Sequence, residues 1–158
     1  MKLRFLCANH REWLCNQPHQ AVHWCANSFE TGWHLSQREN WAEAMPYMGC
    51  AFETAEILMT TRAISPTRAV EWFLHSLAGL TQTLEKLGRT SACVEVHQAA
   101  IERLRREASG EITPELEAEL YRHITRLNRT RRRLTAAKQL PSPLLTAVQP
   151  HRGKIVLH

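Results

Sequence analysis

Apolar residues recur every three or four positions through three successive stretches of this chain, and that rhythm limits what it can fold into. Trp41, Met45, Met48, Phe52, Ala55 and Met59 make the first run, and Val70, Phe73, Leu77, Leu80, Leu84 and Leu87 the second. Val94, His97, Ile101, Leu104 and Ala108 make the third. A period near 3.5 lines one face of a helix, whereas a half-buried strand alternates at every second residue. Long helices with such faces pack at shallow angles, as in bundles and helical repeats.

The breakers fall between these runs. Pro18 can open a helix at its first turn, which would then reach about Leu35. Asn40 followed by Glu43 has capping-box spacing and opens a helix to about Arg62. Ser65-Pro66 starts the next, which should stop near Gly88. Thr90 or Ser91 caps another, ending at Ser109-Gly110. Thr113-Pro114, with Glu115, Glu117 and Glu119 behind it, opens a last long helix to about Leu140, where Pro141 and Pro143 break it. Connections this short make consecutive helices antiparallel neighbours. The expectation is a single all-α domain over 1–140 and a proline-containing tail over 141–158.

Composition agrees. Asp is absent, so all fifteen acidic residues are Glu, and Gly is scarce. A chain of 158 residues can bury a core without metal or disulfide support. Five unevenly spaced cysteines do not form a disulfide framework. The short apolar run at the amino end is no signal peptide, and no stretch is long enough to cross a membrane. The expectation is a cytoplasmic protein with reduced thiols and no membrane partner.

The segment 73–104, FLHSLAGLTQTLEKLGRTSACVEVHQAAIERL, resembles a tetratricopeptide-type helical hairpin. Leu77, Leu80 and Leu84 fill the large positions, Thr81 a small one, and Gly88 the turn. Cys93, His97 and Ala100 follow at the spacing of the second helix, with His97 where an aromatic is usual. Ala44, Met48 and Ala51 repeat that small-large-small spacing earlier. The resemblance implies antiparallel hairpins that bind a partner protein or peptide in a groove, without catalysis. The helices here exceed the family's repeat of roughly 34 residues, so an up-and-down helical bundle is the alternative.

Three clusters could carry chemistry. Cys7, His10, Cys15, His19 and His23 lie in one short stretch, and His19 and His23 are four apart on one helix. Two segments folded together could offer them as a tetrahedral zinc site, the basis of a metal- or thiol-sensor alternative. Free Cys also fills tight helix contacts, with Cys25, Cys50 and Cys93 as further examples. The packing reading is preferred, and no cofactor is expected. Di-iron carboxylate chemistry needs Glu-x-x-His pairs, and there are none. No nucleophile elbow or glycine-rich phosphate loop occurs, so no catalytic residue is expected.

The second cluster is basic. Residues 1–70 balance six Lys/Arg with six Glu, so the formal charge of +5 resides entirely in the second half. Arg122, Arg126, Arg129 and Arg133 step along one helix face, with Arg131 and Arg132 beside them and Arg103, Arg105 and Arg106 on the preceding helix. Such a stripe is a solvated face, a site for an acidic protein partner, or a contact for nucleic acid, which makes a nucleic-acid-associated regulator a further alternative. The third cluster is aromatic: Trp13, Trp24, Trp33 and Trp41 all precede residue 42. Most are expected in the core, with Trp13 and Trp24 as packing anchors, and their density also suits a recognition surface. Both ends, KLRFL and KIVLH, have β-tolerant character and could pair as a short ladder.

Overall fold

A computed structural model describes residues 3–139. It contains six helices: α1 (Ala8–Asn16), α2 (Pro18–Gln37), α3 (Trp41–Thr61), α4 (Pro66–Lys86), α5 (Thr90–Ala108) and α6 (Pro114–Gln139). No strand occurs among the described residues, and none of these helices is long and apolar enough to cross a membrane. The proline-opened starts are as expected, and Ser65 and Thr113 accept from the Arg68 and Leu116 amides. The Asn40 side chain, by contrast, makes no capping bond.

Helix α3 is the hub. It packs against α1, α2 and α4, and its residues from Ala51 to Met59 are buried except Glu56. Cys25 reaches the Ala51 carbonyl at 3.5 Å, while Gly32 of α2 lies against Met48. That reversed order of contacts makes α2 and α3 antiparallel. Phe52 against Phe73 and Met48 against Gly79 show the same for α3 and α4. Helices α2 and α4 therefore run the same way, and they touch beside α3.

Met48 joins these three helices. A Cβ at Gly32 would stand 3.0 Å from its Cγ, and one at Gly79 only 2.5 Å from its sulfur. The two glycines are notches into which one unbranched side chain is threaded. Helix α5 closes on α4 through Cys93, whose thiol points to the Thr81 carbonyl at 3.8 Å. The long α6 packs on α5 with Leu116, Leu120 and Ile124 buried.

Residues 3–7 lie on α3 without being helical. The Phe5 ring fills the space a Cβ at Gly49 would need, 2.1 Å away. The Phe5 and Leu6 amides donate to the two Glu53 carboxylate oxygens at 3.0 and 2.9 Å. Those amides are thus committed to α3 rather than open to a terminal ladder. KIVLH and the rest of the tail, 141–158, lie outside the described residues.

Candidate functional site

The Cys/His stretch is dispersed by the fold. Cys7 precedes α1 and is exposed, as are Cys15 near its end and His19 and His23 on α2. His10 turns away to pack edge-on against Trp24, ring centres 4.3 Å apart. Among the described residues, no three His, Cys, Asp or Glu side chains are grouped to hold a metal ion. The reason is local: the α1–α2 turn leaves these side chains on outward faces, and aromatic packing consumes the imidazole that turns inward.

The other cysteines are packing residues. Cys25 and Cys93 are fully buried, and desolvation pushes each thiol up to about 12, far above physiological pH. Partial burial, then the Glu53 carboxylate, raises Cys50 as well. A thiol held protonated is a poor nucleophile and a poor ligand. His97, also buried, donates from Nδ1 to the Cys93 carbonyl at 2.8 Å.

The tryptophans meet expectation only in part: Trp24 packs against the core, but burial is incomplete throughout. None is fully buried: Trp24 and Trp41 are half-buried, while Trp13 and Trp33 are 43% and 47% exposed. Trp13 is therefore no core anchor, because α1 presents only Leu14 to the interior. Trp33 stacks on Phe29 with ring centres 6.4 Å apart, and Phe29 meets Trp72 edge-on at 6.0 Å and His75 at 6.4 Å. These four rings form a continuous patch across α2 and α4, with Trp33 and His75 exposed. The early Trp density was the only signal for it, and the α4 half carried none.

The arginine stripe is real as a surface. Arg122, Arg126, Arg129 and Arg133 are all exposed on α6, opposite its buried Leu116, Leu120 and Ile124. None of the four forms an ion pair among the described residues. Tyr121 beside them is 51% exposed. On α5, Arg105 and Arg106 point outward, but Arg103 does not belong to this basic surface. It is buried and donates to Glu107 at 3.0 Å, a carboxylate that Arg62 also holds.

Two buried carboxylates thus organise the interior, and periodicity alone does not reveal them. Glu53 takes the Phe5 and Leu6 amides and the Arg11 guanidinium at 3.0 Å, and Glu107 takes Arg62 and Arg103. The available clue to Glu53 was its place inside the apolar run AFETAEIL, directly after Phe52 of the buried face. Buried charges persist only when paired in this way. Comparison with family models, with curated proteins and with solved structures finds no match.

Proposed function

We propose that this chain is a non-catalytic interaction module that holds a partner protein or peptide on the face shared by α2 and α4. The observation that carries this reading is the Phe29–Trp33–Trp72–His75 patch, in which Phe29 and Trp72 rest on the core and Trp33 and His75 extend it into exposed aromatic surface. Such rings offer large contact area at low entropic cost and dominate binding energy where they occur in interfaces. The partner suited to it is an amphipathic helix or extended peptide presenting apolar anchors.

We further infer a tetratricopeptide-like layout, with α2–α3 and α4–α5 as hairpins and α6 as the closing helix. Two features support it: the same-direction contact of α2 with α4, and the glycine notches around Met48. A photo-crosslinking amino acid at position 33 should capture a discrete partner. The same group at position 129 should not, and the reverse pattern would move the interface to α6.

A second reading, an acidic protein or nucleic acid on α6, draws on the exposed Arg122, Arg126, Arg129 and Arg133, which form no ion pair among the described residues. It requires an affinity that falls steeply with salt, and a slope flattened by Arg126→Ala with Arg129→Ala. Salt-insensitive binding would remove it.

A further inference from the structure

Between the amino-terminal segment and helices α3 and α5 lies a cleft of about 430 Å³, away from the aromatic face. Phe52 and Phe73 form its apolar floor, ring centres 4.9 Å apart. Arginines enter from three separate elements: Arg4 from residues 3–7, Arg11 from α1, and Arg103 with Arg106 from α5.

Two of these guanidinium groups are held in place by carboxylates, Glu53 in the cleft wall and Glu107 outside its lining. Glu53 fixes Arg11 through Nη2 and Glu107 fixes Arg103 through Nη1, each at 3.0 Å. A guanidinium has five N–H donors, and hydrogen bonds among the described residues engage one nitrogen of each. Three carboxylates also line the cleft. Glu53 accepts from two amides and Arg11, Glu56 faces Arg106 at 3.8 Å, and Glu102 accepts from Gln98, with no ion pair of its own among the described residues. Arg4 makes no ion pair among the described residues.

We propose that this cleft is a binding site for a small phosphate monoester. A carboxylate is planar and one arginine fork satisfies it, whereas a tetrahedral phosphate uses donors converging from several directions. The volume falls within the range of small-ligand sites, and the charged walls leave room for only a small ester body. Pre-positioned arginines lower the cost of ordering the site when the ligand binds.

The test uses the whole chain, titrated with glycerol phosphate and with inorganic phosphate at constant ionic strength in chloride, followed by calorimetry and amide NMR. Both anions should produce saturable shifts in residues 4–11 and 99–106, the monoester binding more tightly. Arg4→Ala and Arg106→Ala, both at exposed positions, should each weaken binding about tenfold, while Arg126→Ala should leave it unchanged. Shifts that chloride alone reproduces, or that centre on α6, overturn the proposal. So does unchanged affinity in both cleft variants, or a monoester that binds no better than inorganic phosphate.

Discussion

Glu53 shows how much one residue can decide. Its two oxygens accept from the Phe5 and Leu6 amides and the Arg11 guanidinium, so a single side chain of α3 ties down both the amino-terminal segment and α1. Glu53→Ala would strip three donors of their acceptor and should cost about 3 kcal/mol, read by urea denaturation. Gly49→Ala should detach the same segment by a different route, since its methyl would collide with the Phe5 ring. Raised amide exchange at Phe5 and Leu6, with α4–α6 protection kept, is the expected signature. The cysteines divide in the same residue-by-residue way. Under native conditions Cys7 and Cys15 should react fully with a thiol reagent, and Cys25 and Cys93 only on unfolding. Their raised values also fix a sign. Folding lifts Cys25 and Cys93 from 9.0 to about 12, so between those pH values the unfolded chain loses protons that the folded chain retains. The stability they contribute is complete below pH 9.0 and is lost as pH rises towards 12. The slope is roughly 1.4 kcal/mol per pH unit per thiol, measurable against the double alanine variant.

Among the helices, ends differ in how openly the sequence declares them. Helix α4 closes with Gly88 at φ +68° and the Arg89 amide on the Leu84 carbonyl. Helix α2 closes by the same bond pattern, from the Asn40 amide to the Leu35 carbonyl, but with Glu39 at φ +59°. Gly88 announces its turn because only glycine takes that conformation without strain, whereas Glu39 gives no such signal. It follows that Glu39→Gly should stabilise the chain by about 0.5–1 kcal/mol, seen as a higher denaturation midpoint. The apolar rhythm foretold the buried faces well because burial follows periodicity: Phe73, Leu77, Leu80 and Leu84 are all inside. In α3 it foretold Met48, Phe52, Ala55 and Met59, but not the burial of Glu53, Thr54, Ile57 and Leu58 on a helix that neighbours surround on several sides, nor Met48 threading two glycines. Met48→Ala should cost about 3 kcal/mol.

For the molecule as a whole, the fold class was legible and the candidate surfaces only partly so. The exposed arginine stripe followed from spacing alone, because a stepping of four and three marks one face wherever the helix packs. The aromatic patch needed tertiary structure, since Phe29 and Trp33 gain Trp72 and His75 only when α2 meets α4. The Cys/His stretch, for which packing was preferred over metal, is divided by the turn at Pro18: Cys25 is buried, whereas Cys7, Cys15, His19 and His23 are exposed. The measurement that bears most directly on the central claim is a quantitative affinity purification. It compares the unmodified chain with Trp33→Ala/Trp72→Ala and with Arg126→Ala/Arg129→Ala, each first shown to be folded by circular dichroism. The expected result is a specific protein lost from the tryptophan variant and retained by the arginine variant. The same proteins recovered in full by the folded tryptophan variant would contradict the assignment of the α2–α4 face as the interface.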